Sequence, residues 1–208
     1  MARSGEGARS ALVEHAERLF AERGIEGVSL RDVSAAAGQR NHSAAQYHFG
    51  DRRGLVAAVY GARMHDVNDR RGQRLGELTA TGEPVDLAAL VGAMIAPLVE
   101  VVAEADGWYG RFLARTRWDT LAWEVLAELP DATSIINVEH RIVDRLVDLP
   151  VAMRRSRSDQ LLTLVVGTIA GWEWARHRGE PRLSQPDLTV DLVATSLAVL
   201  GAPVAIAT

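Results

Sequence analysis

The sequence predicts an all-α protein of about nine helices. Three observations carry this. Apolar residues recur at three- and four-residue spacing in almost every segment, as on one face of a helix. No segment alternates apolar and polar residues as a half-buried strand does. Glycines, prolines and capping residues fall between these segments, where helices stop and start.

In chain order, residues 1–8 read as a disordered arm. Arg3 there is a candidate phosphate contact, though an ordinary frayed terminus is the commoner case. The first helix runs from Arg9 or Ser10 to Arg23, with Leu12, Ala16, Leu19 and Phe20 on one face, and Gly24 ends it. Ser29 and Asp32 have the spacing of a capping box, and Leu30, Val33, Ala36 and Ala37 continue as a short apolar stripe. Gly38 supplies the left-handed residue after that helix. Asn41 is placed to cap the next, which runs to about Tyr47. Two short helices joined by a tight turn, the second polar and exposed, form a helix-turn-helix, whose second helix enters the DNA major groove.

Asp51 caps a fourth, longer helix with Leu55, Val56, Val59, Tyr60 and Met64, reaching about Leu75. A loop over 79–84 follows, then an apolar helix from Val85 to about Ala105, which Pro97 should kink or split. An aromatic-rich helix spans Trp108 to about Leu129, and Pro130 interrupts it. An amphipathic helix spans 132–149 and ends at Pro150. The helix over 158–178 is apolar on nearly every face, which predicts burial on all sides. Ser184 and Asp187 form a capping box, with Pro186 in the first turn of the last helix, 187–200.

The 208 residues include no Cys, so disulfides and thiolate-bound metals are excluded. The polar N-terminus shows no signal peptide, and no apolar run reads as long enough to span a membrane, so the expected location is the cytoplasm. The net charge is −4, and every basic residue is Arg. Residues 1–55 hold 8 Arg against 7 acids and residues 56–208 hold 15 Arg against 20 acids, an asymmetry of the sign expected for an N-terminal DNA-binding part.

With Phe20, Gly24, Ser29-Leu30-Arg31-Asp32-Val33, Ala37-Gly38, Tyr47-His48-Phe49-Gly50 and Leu55 in view, the first 60 or so residues resemble the tetracycline-repressor (TetR) family of bacterial regulators. One departure is a turn one residue longer than usual around Gln39-Arg40. The resemblance implies a three-helix DNA-binding head (1–55), a helical ligand-binding and dimerisation domain (56–208), a small-molecule inducer, and a homodimer paired through its last two helices. It also implies a phosphate contact by Tyr47 or His48.

The candidate DNA contacts are Arg31, Arg40, Asn41, His42, Ser43, Ala44, Gln46, Tyr47, His48 and Arg52. Gln46 can pair with adenine at two points, Ala44 can touch a thymine methyl, and Arg52 can hold a phosphate. Trp108, Phe112, Trp118, Trp123 and Trp172 are candidates to line a largely apolar ligand pocket, with Arg111, Arg115 or Arg117 as partners for an anionic group. Each aromatic taken singly is more often core. Leu161, Val165, Gly167, Gly171, Leu188, Leu192 and Leu197 are the candidate dimer interface. Glu173 and His177 share a helix face, but such a pair is more often a charge contact than a metal site. No motif calls for a metal, a cofactor or catalysis. The expected function is a ligand-responsive transcriptional regulator, a repressor before an activator, acting on a palindromic double-stranded DNA operator. The competing expectation is a helical-bundle enzyme or carrier with an aromatic-lined cavity and no DNA role.

Overall fold

Ten α-helices make up the described residues, 2–80, 82–129 and 133–204, of a computed structural model; no strand occurs among them. They are α1 (Ala2–Arg23), α2 (Leu30–Ala36), α3 (Ala44–Phe49), α4 (Arg52–Thr79) and α5 (Leu87–Glu104), then α6 (Tyr109–Thr116), α7 (Thr120–Glu128), α8 (Thr133–Val143), α9 (Val151–His177) and α10 (Gln185–Leu200).

The capping chemistry read in the sequence is present. Ser29 and Asp32 bond reciprocally at the start of α2, Asp51 accepts from Gly54 N at the start of α4, and Ser184 accepts from Asp187 N at the start of α10. Several boundaries differ from expectation. The first helix begins at Ala2, so residues 2–8 are helical rather than a free arm; the side chain of Arg3 lies outside the described residues. The aromatic segment is two helices, because Asp119 caps a new one by accepting from Ala122 N, and this makes ten helices instead of nine. Pro130 lies outside the described residues. Helix α8 stops at Val143, and α9 starts seven residues earlier than expected, directly after Pro150. Pro97 does not split α5, which is continuous across it.

Helix α5 is the centre of the larger domain. Leu90, Val91, Met94, Ile95, Val99 and Val102 are buried against α4, α8 and α10. By length and composition α5 does match a membrane span, contrary to expectation, but here its apolar faces make the core between helices. Arg176 of α9 closes its C-terminal end by donating to the carbonyls of Val102, Ala103 and Ala105, where a cation also suits the helix dipole.

Helix α6 lies between α1 and α9. Phe112 is its buried pivot, with ring centroids 6.3 Å from Phe20 of α1, 4.9 Å from Tyr60 of α4 and 6.1 Å from Tyr109. Gly110 permits the close approach to α9, since a Cβ there would stand 3.0 Å from Ile169 Cγ2. Two buried carboxylates hold the N-terminus of α6. Glu17 of α1 accepts from Trp108 N at 2.6 Å, and Glu173 of α9 accepts from Gly110 N at 3.1 Å and Arg111 N at 2.9 Å.

Helix α9 is not buried on all sides. Leu161, Val165, Ile169 and Glu173 face the core, while Thr163, Gly167, Gly171 and Trp174 form an exposed stripe. The apolar composition of its C-terminal half hid a polar N-terminal half, Arg154 to Gln160.

Candidate DNA-binding head and ligand cavity

The first candidate site is the turn and helix formed by residues 39–49. Ser34 holds it against α2: its hydroxyl accepts Ala45 N–H at 3.0 Å while donating to the Leu30 carbonyl, and its carbonyl accepts Gln39 N–H at 3.0 Å. Asn41 Oδ1 accepts Ser43 N–H, so Asn41 closes the turn instead of capping a helix, and α3 starts only at Ala44. The longer turn around Gln39-Arg40 is thus taken up before the helix begins.

This docking fixes which side chains face out. Arg31, Arg40, Asn41, His42, Ser43, Gln46 and Tyr47 are exposed, Tyr47 at 85 %, and His48 is half-buried. Ala44 is buried at 8 % exposure, because the Ser34–Ala45 bond draws the start of α3 onto α2, so it cannot reach a thymine methyl. Arg52 is exposed and donates to the Val28 carbonyl at 3.2 Å, which sets its guanidinium beside the head. Arg53 turns the other way and pairs with Glu124 and Glu128 of α7. Arg9 of α1 lies over the Phe49 ring at 5.3 Å.

The second candidate site is a cavity of about 250 Å³ bounded by α4, α5, α6, α7, α8 and α9. Its wall is mainly apolar, with Met64, Val67, Met94, Leu98, Leu113, Leu126, Ile135, Leu162 and Val166. Tyr60, Asn68, Arg71, Tyr109, Thr116, Arg117 and Glu139 are its polar members. Of the five expected aromatic residues only Trp123 lines it, with its indole N–H donated to the Arg117 carbonyl at 2.7 Å. The other four are placed elsewhere for identifiable reasons. Phe112 is fully buried as the α6 pivot. Trp108 stacks on His177, with Arg111 4.1 Å above it, outside the cavity. Trp118 is 69 % exposed on an open groove beside α9. Trp172 donates to the Leu183 carbonyl and packs under Arg176 and Arg182. Of the three arginines considered, only Arg117 reaches the wall, while Arg111 is held between Trp108 and Trp174.

Arg71 is the cavity residue that sequence reading missed. It is 4 % exposed, and it donates to Asn68 Oδ1, Ser134 Oγ and the Met94 carbonyl. Burial lowers its pKa to about 10, which leaves it protonated at neutral pH. Its signal was available: Tyr60, Met64, Val67 and Arg71 form one helical stripe, and a cation there interrupts an otherwise core-facing row. Glu173 and His177 have separate partners, the α6 N-terminus for one and Trp108 for the other.

The expected dimer residues divide in two. Leu161, Val165, Leu188 and Leu192 are buried in their own chain's core, since their stripes face α5, α6 and α8, and they are not free to meet a partner. Gly167 and Gly171 are exposed, with open space where a Cβ would stand, and Leu197 is half-buried. An exposed apolar row of α10 is Val190, Ala194 and Ala198, beside the exposed polar row Asp187, Asp191 and Thr195.

The structure thus joins a helix-turn-helix head to a helical domain that holds a mainly apolar cavity. Residues 12–59, the helix-turn-helix head, match the family described as "Bacterial regulatory proteins, tetR family". No curated protein matches the chain. Among solved structures, it is similar over 94 % of its length to all of a protein from Rhodococcus sp. described as a TetR-family transcriptional regulator, at 19 % identity and a TM-score of 0.55. It is similar over 93 % of its length to 80 % of a TetR-family regulator from Streptomyces coelicolor, at 20 % identity and a TM-score of 0.52. It is also similar over 93 % of its length to 93 % of the ketosteroid transcriptional regulator KstR2 of Mycobacterium tuberculosis, at 16 % identity and a TM-score of 0.51. These likenesses are of fold.

Proposed function

We propose that this protein is a transcriptional regulator of the cytoplasm, a repressor released from a palindromic operator when a small, largely apolar molecule enters the cavity. The division of labour is a DNA-binding head over 1–55 and a ligand-binding and dimerisation domain over 56–208. In the head, Gln46 reads a base edge, and Ser43, Asn41 and His42 approach the groove. Arg31, Arg40, Tyr47, His48 and Arg52 contact phosphates.

One observation carries the regulatory part of this reading: α6 lines the cavity through Tyr109, Leu113 and Thr116 while its N-terminus is bonded to Glu17 of α1. A molecule that moves α6 therefore biases the position of the head. It must bind the non-DNA-binding arrangement more tightly, or the equilibrium does not shift.

Two heads on a two-fold axis read half-sites about 34–36 Å apart or a multiple of that. We assign the pairing surface to the exposed rows of α9 and α10, with Gly167, Gly171 and Leu197 from the residues first considered, and Thr163, Val190, Ala194 and Ala198 beside them. Selecting DNA from a random pool with the purified protein tests the whole reading. An enriched inverted repeat whose binding weakens steeply with salt is the expected result. A protein that enriches no sequence and is not retained on DNA at low salt would instead be a carrier or enzyme.

A further inference from the structure

The cavity is apolar, yet it encloses a cation that no described acid answers. Arg71 forms no ion pair with a described residue, and its Nε–H is buried without an acceptor. Its remaining bonds go to neutral oxygens, Asn68 Oδ1, Ser134 Oγ and the Met94 carbonyl. Glu139 is the only acid among the described lining residues, and it is engaged by the Ser158 hydroxyl. The other lining cation, Arg117, differs in having an acid beside it: its Nε–H is likewise buried without an acceptor, but it lies 3.5 Å from Asp159 and stacks over Trp118 and Trp123. A buried charge without a counter-charge is costly, and a ligand that supplies one recovers that cost. A guanidinium in the cavity wall donates to a carboxylate in a charge-assisted way that a hydroxyl acceptor does not equal.

We infer that the molecule taken by this cavity is an amphipathic monocarboxylate, its carboxylate on Arg71 and its apolar body against Met64, Met94, Leu113, Trp123 and Ile135. This rests on the reading of the cavity as the effector site. The size follows from the volume. At about 250 Å³ the cavity lies below the common range for drug-sized ligands. A short saturated chain or one substituted ring suits that size and its mainly apolar wall.

The test compares heads on a constant body. Straight-chain carboxylates from pentanoate to decanoate are titrated against the full-length protein, each beside the primary alcohol and the primary amine of equal chain length. Binding is read by tryptophan fluorescence, with Trp123 on the cavity wall, and operator release by mobility shift on the selected DNA. The best carboxylate should bind about 10–100-fold more tightly than its alcohol, and the amine should bind most weakly. Arg71→Met, close in length but uncharged, should erase the preference and leave the alcohol's affinity the same or better. Should that variant not fold, the comparison of heads on the unmutated chain decides alone. An alcohol or amine that equals its carboxylate, or a series in which no carboxylate binds below about 1 mM, overturns the inference. A carboxylate that binds with the expected preference yet leaves DNA affinity untouched upholds it and overturns the effector reading. Release by alcohols and carboxylates alike does the reverse.

Discussion

The Glu17 carboxylate of α1 accepts the main-chain N–H of Trp108 at 2.6 Å, joining residues 91 positions apart. The same carboxylate lies 3.4 Å from Arg63 of α4. The first helix of the head is thereby tied to the start of the helix that lines the cavity and to the helix that links the two parts. The bond is made in a dry setting: burial raises the pKa of Glu17, against the Trp108 N–H and Arg63, which lower it.

Breaking that bond should destabilise the protein and loosen the coupling between its two ends. Glu17→Ala removes the acceptor and leaves Trp108 N–H and Arg63 unmatched, a cost of about 1–3 kcal/mol. Gly107→Ala should reach the same end without touching Glu17, because its Cβ would stand 2.7 Å from Glu17 Oε1. Urea unfolding of both single variants and the double variant measures this. The double variant should cost less than the sum of the singles. Strict additivity would mean that the two substitutions act through different contacts.

Glu173 predicts a pH dependence. Burial raises its pKa from 4.5 to about 7, although the Arg111 and Gly110 N–H groups favour the carboxylate. The folded protein therefore holds a proton that the unfolded chain releases between these values. The associated stability is full below pH 4.5 and is lost as pH rises toward about 7. The loss is on the order of 3 kcal/mol. Urea midpoints should fall between about pH 5 and about pH 8. Glu173→Gln should flatten that part of the profile, and an unchanged slope in the variant would assign the dependence to another group.

In the head, base reading and phosphate holding should separate. Gln46→Ala should relax preference at about one base pair, costing roughly 1–3 kcal/mol on the best operator and little on random DNA. Arg52→Ala should weaken all sequences alike and reduce the salt slope by about 1. The intact Arg52–Val28 bond adds a structural component to the second variant, so its unfolding curve is needed beside its binding curve. An operator preference unchanged by Gln46→Ala would remove Gln46 from the base-reading set.

Local signals carried the fold far. Ser29-Asp32, Asp51 and Ser184-Asp187 each place a helix start, because a cap is a contact between residues two or three apart. Boundaries failed where the deciding contact was distant or weakly marked. The start of α3 depends on Ser34 meeting Ala45, eleven residues away in another helix. The cavity wall was misjudged because size and aromaticity do not state direction. Phe112 and Trp123 are both large and apolar, yet one fills the core and the other borders the cavity. The better signal was polarity out of place. Glu17 sits in the row of Val13 and Phe20, Arg71 in that of Met64 and Val67, and Glu173 in that of Val165 and Ile169. Each charge interrupts an apolar stripe, and each has a specific task inside the protein.

The exposed rows of α9 and α10 yield the last prediction. Gly167 and Gly171 have nothing within 4 Å of a Cβ position, and Val190 is 71 % exposed. In a lone chain the Cβ of Gly171→Leu therefore enters open space, and replacing a mid-helix glycine should stabilise α9 by about 0.5–1 kcal/mol. If α9 and α10 pair with a second copy, the same side chain enters a close helix–helix contact and should cost about 1–3 kcal/mol of association by overpacking. The sign of the effect thus reports the assembly. Light scattering at micromolar concentration should give twice the 22.5 kDa chain mass for the unmutated protein and a shift toward monomer for Gly171→Leu. Operator affinity should fall with it, since a single head makes too few contacts to hold its half-site alone. A monomeric unmutated protein, or a Gly171→Leu variant that is more stable and still dimeric, would place the pairing surface elsewhere.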